Sequence, residues 1–324
     1  MSAPAAGARP DWVEKAANQS RLAFGLALTE LARRDERVVA ISADTLDLIG
    51  LREFIEMAPE RVIEAGIAEQ NAMGIASGLA TTGLRPFVCG YAPFITARSL
   101  EQLRNDVAYA EQRVVIGAAA SGVSLGVSGG THHALEDLAL MRAMPNMTVL
   151  VPADAHQAWH ATLATDRIDG PVYIRLGGRV EETPVTAVDA SFRVGQAELL
   201  REGGDVTAIA CGCLVAEALA AAEALAGQGV SVRVLNMHTI KPLDRDAILA
   251  AAAETRGIVT AEEHHLAGGL GGAVAELLAQ EHPTRMRMVG MPDEFAVIGP
   301  TDKVRERHGM SRRHIRDACL ALMA

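Results

Sequence analysis

The chain is 324 residues long, 49% hydrophobic and 22% charged, which suffices for two domains of ordinary size and a sizeable core. Thirty basic against forty acidic residues give a net charge of −10 with no basic face, which argues against nucleic acid as a partner. No apolar run is long and charge-free enough to span a membrane, the start MSAPAAGARPDW lacks an apolar h-region, and Cys89, Cys211, Cys213 and Cys319 have neither zinc-pair spacing nor a disulfide framework, so reduced cytoplasm is the expected home.

In chain order, residues 14–34 alternate as an amphipathic helix and RVVAISAD (37–44) reads as a buried strand ending in a polar pair. EAGIAEQNAMGIASGLATTG (64–83) carries a helix with one acid, Glu69, at the head of a run of small residues. Glycine inside a helix costs about 1 kcal/mol against alanine. Gly74 and Gly78 in one stripe therefore suggest close approach by another backbone and burial on most sides. LRPFVCGY (84–91), RVVIGAAAS (113–121), TVLVPAD (148–154) and GPVYIRL (170–176) are further strands, with helices at 98–110 and from Ala155. Short apolar strands alternating with helices imply a parallel sheet covered on both faces. A Gly-, Pro- and Thr-bearing linker over 177–191 leads to a smaller βαβ unit. Its strands fall at 205–212, 230–237, 257–264 and RMRMVGM, and its helices at 213–229, 245–255, GGLGGAVAELLAQE and SRRHIRDACLALM. The fold class is α/β, as two doubly wound domains over residues 1–183 and 192–324.

Chemistry-bearing residues gather at the carboxyl ends of the first unit's strands, where open α/β sheets bind ligands. They are Asp44 in SAD, Glu69 in GIAEQN, Tyr91 and Phe94 in GYAPF, and His132 and His133 at the end of SLGVSGGTHHALED. The glycines of that loop let a ligand approach the backbone, and the histidines offer a proton donor or acceptor near neutral pH. Each also has a plainer reading. Glu69 would complement a helix dipole, the histidines would be a loop pair, the aromatics would be core, and Asp44 would cap a helix. No HxH, HExxH, Walker A or intact G-x-G-x-x-G pattern is present.

Taken in order, VIEAGIAEQNAMGIASGLATTGLRPFVCGYAPF and SGVSLGVSGGTHHALEDLALMRAMPNMTVLVPAD resemble the pyrimidine-binding domain of transketolases and of deoxyxylulose phosphate synthase. VLNMHTIKPLD and EEHHLAGGLGGAV resemble the transketolase C-terminal domain, and the nearest form is the C-terminal subunit of a split transketolase. The resemblance implies thiamine diphosphate as cofactor. It gives Glu69 the contact to a ring nitrogen of the aminopyrimidine, Phe94 and Tyr91 the packing against that ring, and Asp44 a place near the cofactor. His132 would be the catalytic histidine that faces substrate oxygens, with His133 beside it where the family has glutamine. In that family Mg2+ and the diphosphate are held by a GDG…N motif in an N-terminal domain. This chain has no GDG, so the resemblance implies a separate N-terminal transketolase subunit and an α2β2 assembly.

Several positions depart from the family pattern. GVSGGTH stands where transketolases read GEDGPTH, which places Ser128 where an aspartate senses sugar hydroxyls. A second family histidine falls at Ala120, and an arginine expected after the fifth strand falls near Gly178, between Arg175 and Arg179. Arg98 is placed to compensate in holding a substrate. The sugar or sugar phosphate is therefore expected to be unusual: branched, sulfonated, or from a specialised pathway. The alternatives are the beta subunit of a 2-oxo-acid dehydrogenase-type decarboxylase, a synthase of the deoxyxylulose type, and a non-catalytic protein that keeps the fold.

Overall fold

A computed structural model describes residues 10–324. Strands β1 (Val38–Ser42), β2 (Val62–Glu64), β3 (Arg85–Tyr91), β4 (Val115–Ala119), β5 (Thr148–Leu150) and β6 (Val172–Arg175) form a parallel sheet. Every residue of β1, β4 and β6 is buried, as expected of a parallel sheet covered on both faces. The helices around it are α1 (Asp11–Ala16), α2 (Ser20–Arg34), α3 (Arg52–Met57), α4 (Glu69–Thr81), α5 (Leu100–Gln102), α6 (Asp137–Ala143) and α7 (Ala155–Ala164). The second unit contributes β7 (Glu198–Arg201), β8 (Val206–Ala210), β9 (Val232–Asn236), β10 (Thr239–Lys241), β11 (Ile258–His265) and β12 (Met286–Met291). Its helices are α8 (Leu214–Ala226), α9 (Arg245–Glu254), α10 (Leu270–Glu281), α11 (Thr301–Arg307) and α12 (Arg312–Met323).

The first sheet runs β10-β5-β6-β4-β3-β1-β2. The chain steps outward from β1 to β2, then crosses β1 to reach β3. The topological switch point therefore lies between the carboxyl ends of β1 and β3. The second sheet runs β12-β11-β8-β9-β7, with β7 antiparallel to β9.

Four local features differ from the sequence expectation. The helix expected over 14–34 is broken at Ala17 and Asn18, both left-handed, so α1 and α2 are separate. The helix expected over 98–110 begins at Phe94, and Phe94–Arg98 and Leu103–Tyr109 are π-helical. Within it the Thr96 and Ser99 hydroxyls donate to the carbonyls of Ala92 and Ile95, at 2.6 and 2.7 Å, competing with the regular ladder. β5 stops at Leu150, because Pro152 has no N–H to donate and Asp154 turns to cap α7. Finally, β10 crosses from the second unit to pair antiparallel with β5. One apolar core accordingly joins Val149, Val151 and Tyr173 of the first unit to Ile209, Met237 and Leu270 of the second.

The small-residue face of α4 is a correction. Ala72, Met73 and Ala76 are buried, but Gly74 and Gly78 are exposed, with nothing within 4 Å of an added Cβ. Among the described residues no other backbone approaches these glycines.

Candidate active site

Glu69 is the first residue of α4, reached from β2 through the short loop Ala65–Ala68. Its side chain is buried, and its Oε2 accepts a 2.7 Å bond from Nη1 of Arg98, whose side chain is 47% exposed. The Arg98 guanidinium also lies over the Phe94 ring, 4.5 Å from its centroid. Phe94 stands edge-on to His132, with ring centroids 5.2 Å apart, and Tyr91 completes the triangle at 5.9 Å from Phe94 and 6.1 Å from His132. Thr131 Oγ1 lies 3.0 Å from His132 Nδ1, which leaves Nε2 as the nitrogen free to meet a ligand. Tyr91 ends β3, Phe94 opens the π segment and His132 ends the glycine-rich loop. Side chains from three separate stretches of sequence thus meet beside the switch point.

Asp44 lies just past β1 in the left-handed region (φ 58°), a conformation aspartate tolerates better than most residues. Its N–H donates to Glu64 Oε1 at 2.8 Å, and Gly66 N–H donates to the same oxygen at 2.8 Å. Glu64 so fixes the turn that carries Asp44, exposed, at the rim. Ser128 is exposed on the glycine-rich loop. His133 is buried, and burial lowers its pKa. It is not among the rings that meet around His132. Arg98 is engaged by Glu69 and Phe94 rather than held free for a substrate.

The glycine-rich loop rests on the second unit. A Cβ on Gly126 would come within 2.4 Å of the Gly299 carbonyl, so only glycine fits there. Gly299 N–H donates to the Gly126 carbonyl at 3.1 Å, and the Thr301 hydroxyl donates to the Val123 carbonyl at 3.1 Å. The loop's far anchor is Asp137 at the start of α6, fully buried against Arg175 Nε at 2.7 Å and the Tyr173 hydroxyl at 2.6 Å. Burial alone would raise the Asp137 carboxyl, but the Arg175 charge beside it wins and holds it below its ordinary value. Arg175 Nη2 also donates to the Glu263 carbonyl at 3.0 Å, so one of the two arginines flanking the expected sugar-phosphate position is a buried tie between the units. Arg179 is exposed, and the Gly178 carbonyl accepts from Arg21 at 3.0 Å.

The EEHH stretch supplies the rest of this junction. Glu262 accepts the N–H groups of Leu270 and Gly271 at 2.6 and 2.7 Å, capping α10. Glu263 pairs with Arg305, and His264 Nε2 accepts from the Ala139 N–H at 3.3 Å. Sequence reasoning missed Thr131 and this junction. The buried charges were visible as a run of ionisable residues inside an apolar strand, a pattern that calls for partners.

A buried carboxylate beside a half-buried aromatic face suits a flat ring that bears N–H groups. The guanidinium of Arg98, planar and rich in donors, already satisfies both surfaces at once. The residues present therefore fit the aminopyrimidine of thiamine diphosphate, with Glu69 as hydrogen-bond partner and Phe94 as stacking face. Among the described residues no group of three or more acidic, histidine or cysteine side chains stands at metal-ligating spacing.

Comparison with known proteins matches residues 17–179 to the transketolase pyrimidine-binding domain and residues 195–315 to the transketolase C-terminal domain. A 6-deoxy-6-sulfo-D-fructose transketolase subunit from a Clostridium species is 43% identical, over 89% of this chain and 89% of that protein. An apulose-4-phosphate transketolase subunit of Phocaeicola vulgatus is 40% identical, over 91% of this chain and 94% of that protein. A 1-deoxy-D-xylulose-5-phosphate synthase of Geobacter sulfurreducens is 40% identical over 93% of this chain, which spans 47% of that longer protein. A solved split-gene transketolase, described as an inactive beta4 tetramer, superposes with a TM-score of 0.86 at 39% identity, covering 94% of this chain and 98% of that one.

Proposed function

The chain belongs to the transketolase family, and from that premise we propose that it is the pyrimidine-binding half of a thiamine diphosphate-dependent ketol transferase. The other half is a separate N-terminal subunit whose GDG…N motif holds the diphosphate through Mg2+, in an α2β2 assembly working in the cytoplasm. The observation that carries this reading is the meeting of Glu69, Phe94 and His132 beside the switch point. When bound, thiamine diphosphate supplies the carbon that carries a two-carbon unit from a ketose to an aldose or aldehyde.

This chain's residues do the placing. Glu69 sets its side-chain oxygens against the ring nitrogen from a buried position, where water does not compete. Phe94 and Tyr91 fix the plane of the ring, and Asp44 stands at the rim. His132, with Nδ1 occupied by Thr131, presents its other nitrogen to hydroxyl or carbonyl oxygens of the sugar and moves protons there. Ser128 and Ala120 leave fewer charged groups for an ordinary sugar phosphate, which favours a branched or sulfonated ketose. The names of two relatives, acting on sulfofructose and on apulose 4-phosphate, support that class.

The test is Glu69→Gln in the reconstituted two-subunit enzyme. The variant should fold and pair as the parent does, yet lose turnover by about 10²- to 10⁴-fold. Turnover within a factor of about two of the parent's would remove Glu69 from the chemistry.

A further inference from the structure

The contacts of Arg98 carry more than a surface ion pair does. Its guanidinium makes, in one pose, the two contacts that define a seat for an aminopyrimidine: a 2.7 Å bond to the buried Glu69 carboxylate and a stack 4.5 Å from the Phe94 centroid. Both are planar, donor-bearing groups, so they compete for the same carboxylate and the same ring face.

We infer that Arg98 is an internal stand-in for the pyrimidine, closing the seat in the chain by itself and leaving it when the ring enters. The inference rests on the cofactor reading above and adds a residue that sets affinity for that ring. The geometry makes the arginine displaceable rather than permanent. Arg98 leaves the π segment close to solvent, its side chain 47% exposed, whereas Glu69 is buried. The long side chain can swing outward into water at low cost, while the carboxylate stays. The closed pose also relieves Glu69, which would otherwise be a buried charge with no partner. The chain alone thus sits mostly in a form that does not accept the ring, and its apparent affinity is reduced by the fraction that is open.

The energies set the size of the effect. A half-exposed ion pair together with a cation–π contact, both lost on opening, amounts to about a tenfold penalty on binding. Removing the arginine should return that factor.

The experiment uses the full chain and three variants: Arg98→Met, Arg98→Lys and Arg98→Ala. Ligand-observed NMR with 4-amino-2,5-dimethylpyrimidine reads the weak affinity of the ring alone, and calorimetry with thiamine diphosphate and Mg2+ reads the complex with the partner subunit. Thermal melts check that each variant is folded. Arg98→Met should bind the pyrimidine about tenfold more tightly than the parent, with Arg98→Lys between them, because lysine keeps the charge but loses the plane. In Arg98→Ala, added methylguanidinium should refill the seat and compete with the pyrimidine. It should have no such effect on the parent. Equal or weaker pyrimidine binding by Arg98→Met than by the parent would overturn the stand-in while leaving the cofactor reading in place. If no form binds the pyrimidine alone or the cofactor in the complex, both the cofactor reading and the stand-in fall.

Discussion

At the residue scale the tightest electrostatic unit is Asp137 with Arg175 and Tyr173, all buried. Removing one partner of a buried pair leaves an uncompensated charge, which typically costs about 3–5 kcal/mol. Arg175→Met should therefore lower stability by about that amount, and the Asp137→Leu, Arg175→Met double variant should recover part of the loss. Denaturant midpoints would measure both; a double variant no better than the single would show that the charge is not what matters. Glu69, Phe94, Tyr91 and His132 stand out in the sequence because each lies at or beyond the end of a strand within a long run of family wording. The pairing of Arg98 with Glu69 was not legible, since it depends on a π-helical register that brings position 98 back over the Phe94 ring. The burial of His133 was equally hidden: the loop that carries it is braced at Gly126 by Gly299 of the second unit, far away in sequence.

At the element scale, packing between α2 and the sheet is decided by glycine. A Cβ on Gly117 of β4 would lie 2.4 Å from Phe24 Cζ, so the ring of α2 rests directly on the strand backbone. Gly117→Ala should cost about 1–3 kcal/mol through overpacking, read as a lower denaturant midpoint at unchanged slope. No change in midpoint would mean that Phe24 moves aside freely. A pH effect belongs to β11, where burial pushes His264 down to about 4 against the opposing pull of Asp137. Between pH 6.5 and 4 the unfolded chain binds a proton on this ring that the folded chain does not. This contribution to stability is thus present at neutral pH and lost on acidification. His264→Gln should lose less stability than the parent between pH 7 and pH 5, and equal losses would exclude His264 as a cause. The long strands and helices were legible from apolar runs and 3.6-residue spacing. The short β5 and β6 showed inside longer apolar runs, whereas β2, β7 and β10 lie in mixed polar sequence with too little pattern and owe their existence to neighbours.

At the scale of the whole molecule the two units share a core and a sheet edge. β10 joins the first sheet, Arg175 reaches the Glu263 carbonyl and Gly299 braces the glycine-rich loop. Calorimetry should therefore show one cooperative unfolding transition for the chain, and two separated transitions would contradict the shared core. The two-unit plan was legible from the linker composition, but the tie between the units was not. The linker also proves well fixed, with the N–H groups of Val185 and Thr186 held by Asp154 at 2.7 and 2.8 Å.

The central claim is that this chain supplies half of a ketol-transferring site and needs another chain for the rest. The most direct measurement is affinity purification of the tagged chain from its native host, with mass spectrometry of what co-elutes and a ketol-transfer assay of the product. The account predicts a stoichiometric partner carrying a GDG…N motif, with thiamine diphosphate-dependent transfer by the pair and none by this chain alone. A chain that emerges alone and catalyses the transfer unaided would contradict it.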